Sequence, residues 1–301
     1  MGRDADPPRR RRRPCGRGGA RRSAPRAGRG RAGRPPADGT RGHQPHPRRA
    51  DGDPHREGDR PVSGRLRGRR TGGWGAVSRS SLAVVGTDTG VGKTVVTAGL
   101  VGRLHAAGVD ARAIKPVQTG YPPDDDAGWV AEACDTARAA TCIERLAPPL
   151  APAVAAREAG RTLSYPTIRS GCERALASAD VGVVEGIGGL RVPLTADREV
   201  VDLAADLGVS TVVVARSGLG TLNHTALTVE ALERRAVGVR AVVLNGFEGE
   251  TVAERTNPNA LERMLDVPVY TLPSADLSDP RTAIDLVRNH LPELTLGRSS
   301  G

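Results

Sequence analysis

The sequence predicts a doubly wound α/β fold, in which a mostly parallel sheet carries helices on both faces. From residue 82 onward, short apolar runs alternate with longer Ala-rich segments whose apolar residues recur at helical spacing, a pattern typical of βαβ units. A Gly-rich turn follows the first apolar run, as is common where a strand leads into a helix in such folds. The 221 residues from position 81 onward are enough for one domain with a substantial core.

Six apolar runs are predicted as strands, because the strands of a covered parallel sheet are buried on both faces. They are Leu82–Val85, Ala111–Ile114, Val181–Val184, Thr211–Ala215, Ala241–Leu244 and Val267–Leu272. Helices are predicted at Lys93–Ala107, Ala127–Ala140, Tyr165–Ala177, Val200–Leu207, Thr221–Arg235, Thr251–Leu265 and Thr282–His290. The proline-rich stretch 142–162 is predicted as a loop with room for one short helix.

The formal net charge of +10 is not spread evenly over the chain. Residues 1–80 contain 23 Arg, no Lys and 7 acidic residues, a charge of +16, which leaves −6 for residues 81–301. Arg, Gly and Pro account for 49 of these 80 residues, so the segment cannot bury enough apolar surface to offset the entropy of ordering its backbone. The basic charge therefore does not indicate a nucleic-acid partner.

These observations predict a disordered basic segment at 1–79, a folded domain at 80–292 and a short flexible tail at 293–301. Two interpretations of the first segment stay open. It is either a basic tail or is encoded upstream of the true start in GC-rich DNA, and the second is favoured because Val77 suits a GTG start. Neither a membrane span nor a secretory signal is expected, and the four cysteines, which lack metal-binding spacing, are expected to be reduced thiols in the cytoplasm.

The segment Gly86–Thr94, GTDTGVGKT, indicates a nucleotide site. It lies between the first strand and the first helix, where a Gly-rich turn directs backbone N–H groups and the positive end of the helix at a phosphate chain. In this P-loop pattern Lys93 reaches the β and γ phosphates, and the Thr94 hydroxyl is a ligand for Mg²⁺. The general pattern places its first glycine at Thr87, and here that glycine stands one position earlier.

Lysine is almost absent from this chain, with two lysines against 42 arginines. A lysine retained against such a bias suggests a position that needs a compact ammonium group and where a planar guanidinium does not fit. One is Lys93 in the P-loop. The other, Lys115, ends the second predicted strand, at the edge of the sheet where open α/β folds bind ligands. We expect both ammonium groups to face one crevice.

Carboxylates suited to Mg²⁺ occur in two places. Glu185 ends the third predicted strand, before a Gly-rich turn, which is the position of a Walker B acid. The run Asp124–Asp126 opens the second predicted helix, where an acid either caps the helix or binds the metal, and spacing alone favours the two roles equally. Asn245 ends the fifth strand and suits either base recognition or a turn. Trp129 is expected to pack rather than to take part in chemistry.

Together these motifs resemble the dethiobiotin synthetase family, over about residues 80–290. The resemblance includes the early P-loop glycine, which is the family's form. Some relatives have Glu at the position of Gly90, so any contact made by that Glu is absent here. The matching segments are Gly86–Thr89 with Gly92–Thr94, Lys115–Val117 with Thr119–Gly120, Val184–Gly186 with Gly188–Gly189, and Leu219–Gly220 with Asn223–His224.

The resemblance implies an ATP-dependent ligase of biotin synthesis. Carbon dioxide adds to one amine of 7,8-diaminononanoate, the carbamate attacks the γ-phosphate of MgATP, and the second amine attacks the resulting anhydride to give dethiobiotin, ADP and phosphate. A homodimer is also implied, because in this family the partner subunit holds the carboxylate of the substrate. Mg²⁺ is the implied cofactor and ATP the co-substrate, and no nucleic-acid or membrane partner is implied.

The resemblance also assigns roles to residues of this chain. Lys93 and Lys115 are catalytic, and Thr94, Asp126 and Glu185 hold Mg²⁺, with Asp126 chosen among the three acids because an alanine follows it. The nucleotide-binding residues are Gly90, Val91, Gly92, Lys93, Thr94, Val95, Asp126, Glu185, Gly186, Ile187, Gly188, Asn245, Gly246, Pro273, Ser274 and Ala275. The substrate-binding residues are Thr119, Leu219, Gly220, Thr221, Leu222 and Asn223.

Two other functions remain as alternatives. An amidotransferase of the cobyrinate or cobyric acid type has a related synthetase domain, but it continues into a glutaminase domain with a nucleophilic Cys, and no Cys follows His290 here. A partition-type regulatory ATPase would bind DNA through the basic segment. Such ATPases place a signature lysine five residues before the P-loop lysine, and this chain has Asp88 there, with the opposite charge.

Overall fold

The computed structural model describes residues 81–292 and residue 294. The expectations for residues 1–79, and for the tail at 293–301 apart from residue 294, concern parts of the chain outside this range. Among the described helices, none is both long enough and apolar enough to cross a membrane.

Seven strands form one sheet. They are β1 Leu82–Gly86, β2 Ala111–Gln118, β3 Ala140–Arg145, β4 Val181–Glu185, β5 Ser210–Arg216, β6 Val239–Asn245 and β7 Val269–Leu272. Their spatial order is β3-β2-β4-β1-β5-β6-β7, and all neighbouring strands pair in parallel. All six predicted strands are present, so the predicted α/β fold with a parallel sheet is confirmed. Because the strands run in one direction, their carboxyl ends meet at one edge.

Eight α-helices connect and cover the strands. They are α1 Lys93–Ala106, α2 Asp126–Ala133, α3 Pro152–Glu158, α4 Tyr165–Leu176, α5 Val200–Asp206, α6 Thr221–Glu233, α7 Val252–Leu265 and α8 Thr282–His290, among the described residues. Alternate residues of β1 enter different cores, as the period of a strand requires. Leu82 and Val84 pack with α1, α2 and α8 on one face, and Ala83 and Val85 pack with α4 to α7 on the other.

Strand β3 corrects two predictions. The helix predicted over 127–140 ends at Ala133, because Asp135 adopts a left-handed φ of 51°. The loop predicted over 142–162 contains most of β3 as well as the expected short helix, α3. As an edge strand, β3 is only half-buried and mixes polar with apolar residues, so it lacks the apolar run by which the central strands are identified.

The unpredicted strand also changes the position of Lys115, which does not end β2 as predicted. Strand β2 pairs with β4 as far as Ile114 and then continues to Gln118 alongside β3, with Lys115 in register with Cys142. Lys115 therefore lies inside a strand, at the point where β2 passes the neighbouring turn after β4. Hydrogen bonding to β3 on one side holds the backbone of β2 in place.

Candidate functional site

The turn between β1 and α1 has the geometry of a P-loop. Gly90 and Gly92 have φ of 70° and 97°, in the left-handed region that glycine adopts without strain, and Lys93 begins α1. A Cβ atom at Gly86 would lie 2.9 Å from the Asp88 carbonyl oxygen and 3.0 Å from Lys93 Nζ. The early glycine of this P-loop is therefore needed because the loop folds back over position 86.

Lys93 lies over this loop and is buried. Its Nζ donates to the carbonyl oxygens of Asp88, at 3.0 Å, and Gly188, at 2.8 Å. Burial, together with the nearby charge of Lys115, lowers the pKa of Lys93 to about 8, against the opposing charge of Glu185. Lys93 is thus an ammonium at neutral pH, held between the P-loop and the turn after β4.

Lys115 is the centre of a second set of contacts. Its buried Nζ donates to Glu185 Oε1 at 2.8 Å and to the Gly186 carbonyl oxygen at 3.3 Å, and it forms an ion pair with Asp126. Glu185 Oε1 also accepts a hydrogen bond from Thr94 Oγ1 at 2.9 Å. Burial acts to lower the pKa of Lys115, but the charges of Glu185 and Asp126 outweigh it and raise this pKa above its usual value. Lys115 therefore stays protonated.

The three consecutive acids before α2 have different partners. Asp125 caps the helix, because its Oδ1 accepts from the Gly128 amide at 3.0 Å. Asp126 instead turns its carboxylate to Lys115, while its amide donates to Gln118 Oε1 at 3.1 Å. Burial acts to raise the pKa of Asp126, but Lys115 lowers it overall. These contacts support Asp126 as the acid that faces Thr94 and Glu185, and Asp125 as the cap.

These groups open into one cavity of about 910 Å³. Both lysines and all three of the predicted metal ligands line it, so the expectation that the two ammonium groups face one crevice is met. The predicted site residues in its lining are Gly90, Gly92, Lys93, Thr94, Val95, Lys115, Thr119, Asp126, Glu185, Ile187 and Gly188. Its other walls include Gln118, Trp129, Glu132 and Leu277.

The predicted adenine site does not line this cavity, within the described part of the chain. Asn245 Nδ2 donates to the Val91 carbonyl oxygen at 3.0 Å, and it occupies the space that a Cβ atom at Gly92 would need. Asn245 thus supports the P-loop backbone. Pro273–Ala275 are separated by one residue from Leu277, which does reach the cavity.

The predicted substrate residues Leu219–Asn223 lie on the other side of the P-loop, where α6 begins. None of them lines the 910 Å³ cavity. The side chain of Leu219 is 96% exposed. A separate groove of about 420 Å³ lies here, and it is lined by Thr87–Thr89, Gly189–Pro193, His224, Leu227, Thr228 and Ala231.

Comparison with known proteins agrees with this geometry. A family model described as an AAA domain matches residues 80–281. The ATP-dependent dethiobiotin synthetase BioD of Haloferax mediterranei is 62% identical over 70% of this chain and 90% of its own length. The chain belongs to the dethiobiotin synthetase family. BioD proteins from Anaeromyxobacter sp. (51% identical; 61% of this chain and 84% of that protein) and Aquifex aeolicus (34%; 72% and 98%) are also similar.

The resemblance to the dethiobiotin synthetase family seen in the motifs is therefore confirmed. At the position of the partition-type lysine, the Asp88 carboxylate pairs with Arg216 at 3.1 Å. The P-loop of this dethiobiotin synthetase family member therefore has a different charge arrangement from that of a partition-type switch.

Two residues that hold backbone segments of this dethiobiotin synthetase family member in place were not predicted from its sequence. Arg216 also donates to the Thr89 carbonyl oxygen of the P-loop at 3.1 Å. It ends β5, and this place at the carboxyl edge of the sheet is the pattern that could have indicated its role. Asn257, buried in α7, donates to the carbonyl oxygens of Ser217 and Gly218 at 2.8 and 3.1 Å. No local pattern indicates that contact, because it joins residues about forty positions apart.

Proposed function

We propose that this protein is an ATP-dependent dethiobiotin synthetase, a ligase of biotin biosynthesis. It joins CO₂ to 7,8-diaminononanoate, closes the ureido ring, and converts ATP to ADP and phosphate. The observation that carries the proposal is the convergence of Lys93, Lys115 and the Thr94–Asp126–Glu185 set in one cavity at a P-loop. The names of the similar BioD proteins supply ATP and the product, dethiobiotin, and the family resemblance supplies the diamine and CO₂.

The reaction builds negative charge in three steps. One amine nitrogen attacks CO₂ and loses a proton, which gives a carbamate. A carbamate oxygen then attacks the γ-phosphorus as the bond to ADP breaks. The second amine attacks the carbamoyl carbon and loses a proton to solvent as phosphate leaves with the electron pair. Groups fixed in advance and aimed at this charge lower the barrier more than flexible solvent does. Lys93 and Lys115 are the two ammonium groups so placed.

The protonation state of Lys115 defines its role. An ammonium that keeps its proton donates hydrogen bonds but does not remove a proton from an amine. Lys115 is therefore an electrostatic residue that stabilises the carbamate and the transferring phosphoryl group. Its contacts with Glu185 and Asp126 hold it in position, because a buried charge without partners would be strongly destabilised.

The residues around Thr94 fit Mg²⁺. Two carboxylates and one hydroxyl are the hard oxygen donors that Mg²⁺ prefers, and a set this small leaves positions for phosphate oxygens and water. Within the described residues, no group of three or more His, Cys, Asp or Glu side chains is arranged to hold a metal without such help. Thr94, Asp126 and Glu185 would hold the ion. When bound, the ion would neutralise charge on the β and γ phosphates.

A homodimer completes the proposal. Leu219, just before α6, and Leu227, on α6, are large apolar residues that are exposed, and Leu227 lines the 420 Å³ groove. Exposed apolar residues around a groove are typical of an interaction surface. The family resemblance assigns the carboxylate of the diamine to the Leu219–Asn223 segment of such a second copy. In a twofold dimer the same surface serves both subunits.

A coupled assay tests the proposal. Purified protein receives MgATP, ¹³C-bicarbonate and 7,8-diaminononanoate, and phosphate release and the ¹³C-labelled product are followed together. We expect phosphate release only when the diamine is present, with one labelled carbon in each dethiobiotin formed. Phosphate release that ignores the diamine, or that DNA stimulates instead, would reject the assignment.

A further inference from the structure

Trp129 lines the 910 Å³ cavity at the P-loop. The same cavity is lined by Val95 of α1, by Gly128 and Glu132 of α2, and by Leu277 from the loop after β7. Trp129 is half-buried, and it packs against the core shared by α1, α2 and α8 while it lines the cavity. The sequence predicts packing alone for this residue. The structure shows in addition that Trp129 lines the cavity at the P-loop.

Trp129 lies on the same face of α2 as Asp126, the proposed metal ligand. Residues three apart on a helix are neighbours on one face, so Trp129 stands one turn along α2 from Asp126. The face of α2 that carries the proposed metal ligand at its start therefore carries an aromatic ring next. Ala127, Val130 and Ala133 of α2 are buried in the core and do not line the cavity, whereas Trp129 both packs against the core and lines the cavity.

We propose that the indole of Trp129 packs against the nucleoside of bound ATP. This inference rests on the proposed function, which supplies ATP as the ligand. The P-loop holds the phosphates at the start of α1, in the wall of this same cavity, so the attached nucleoside lies within reach of its other walls. Trp129 and Leu277 are two apolar residues of those walls. A large flat ring there removes apolar surface from water, and it stacks on a base or covers a ribose.

The alternative occupant is the aliphatic diamine, which an apolar wall would also favour. The observations favour the nucleoside. The predicted diamine contact Thr119 follows β2, whereas Leu277, which lines the cavity together with Trp129, stands two residues after Pro273–Ala275, the segment that the family resemblance assigns to the nucleotide. Stacking on an aromatic ring discriminates poorly between bases, so we expect Trp129 to set affinity for nucleotides over bare phosphates rather than choice of base.

The first experiment reads the indole directly. The chain has two tryptophans, so Trp74→Phe leaves Trp129 as the sole tryptophan, and excitation selective for indole reads it alone. With Mg²⁺ present, ATP and ADP are expected to change its emission, whereas inorganic triphosphate and the diamine alone leave it unchanged. An equal change with inorganic triphosphate, a change with the diamine alone, or no change under ATP concentrations at which calorimetry shows binding would each overturn the proposal.

A pair of variants gives the second experiment. Trp129→Leu keeps apolar volume against the core but removes the ring, and we expect it to weaken ATP binding by about tenfold, while Trp129→Phe stays within about threefold of wild type. Both variants should bind inorganic triphosphate with wild-type affinity, which also shows that the P-loop has folded. Equal losses for ATP and triphosphate would assign Trp129 a purely structural role. The measurements with ATP, ADP and triphosphate need neither the diamine nor turnover, so their outcome is independent of whether the ligase assignment holds.

Discussion

The two sides of the P-loop differ in how far their side chains are buried and partnered within one chain. Toward β2 and β4, Lys93, Lys115 and Glu185 are buried, and their polar atoms have partners within the same chain. Toward β5 and α6, the segment at Leu219 and the nearby Leu227 are exposed, and Arg216 is the link to the loop. One chain therefore assembles the charged side, whereas the other side presents exposed apolar residues, which a second copy would cover in the proposed dimer.

The difference follows from the physical cost of burying charge. The charge of Lys115 acts against that of Lys93, and the negative charges of Glu185 and Asp126 offset this repulsion. Such a cluster has to be folded into one rigid unit. Binding of an aliphatic substrate needs only apolar contact and a few polar groups, so it tolerates assembly from two subunits.

The largest expected effect tests the charged side. We expect Lys115→Met to lower kcat by a factor of roughly 10² to 10³, because one preorganised electrostatic donor is lost from the transition state. The affinity for MgATP, measured by calorimetry, should change by less than about threefold. Lys115→Arg should not restore turnover, since a planar guanidinium does not replace a compact ammonium.

Arg112→Met is the matched control for that variant. Arg112 is on the same strand, and its side chain bonds to Ser178 and to the Arg138 carbonyl oxygen, away from the site. Its kcat should stay within about twofold of wild type. Turnover near the wild-type level in Lys115→Met would remove Lys115 from the chemistry.

The next effect tests the exposed side. Leu219→Glu places a charge at the centre of the proposed subunit contact, and a buried unpaired charge is strongly unfavourable at an interface. We therefore expect the dimer to dissociate and turnover to fall by about tenfold or more. Light scattering measures the mass, and the affinity for MgATP should be retained. Val252→Glu, at another exposed apolar residue on α7, should remain dimeric and active. A monomeric wild type, or a Leu219→Glu dimer with full activity, would contradict the comparison.

The smallest effect tests the link between the two sides. Arg216 and Asp88 form an exposed ion pair, and such pairs contribute about 0.2 to 1 kcal/mol. We therefore expect Arg216→Ala to raise the KM for ATP by about two- to fivefold with little change in thermal stability. High salt should reduce the difference from wild type, because it screens exposed charges. An effect of a hundredfold would mean that Arg216 contacts a reacting group.

The parts of the site that were predictable share one property: each is marked by its position next to a strand end or helix start. Lys93, Thr94 and Glu185 follow from such local patterns. Strand β3 does not, because an edge strand is half-exposed and lacks a continuous apolar run. Without β3, the end of β2 was placed too early, although the chemistry expected of Lys115 does not depend on that end.

Other features depend on contacts that no local pattern encodes. Spacing could not separate Asp125 from Asp126, and their roles became distinct only through the Gly128 amide and the Lys115 ammonium. The support that Asn257 gives to the Ser217–Gly218 backbone likewise joins distant parts of the chain. Burial and partner geometry are properties of the packed domain, so the folded structure was needed to assign them.

Because lysine is so scarce in this chain, a label on the lysine side chains reports on one cavity alone. Both of its lysine side chains line the same cavity, and both are buried. Protein grown with lysine labelled with ¹⁵N at the side chain would contribute two ammonium resonances, and both would come from the cavity. A spectroscopist could therefore follow each ammonium group through a titration without assigning the rest of the spectrum and without placing a foreign label in the chain.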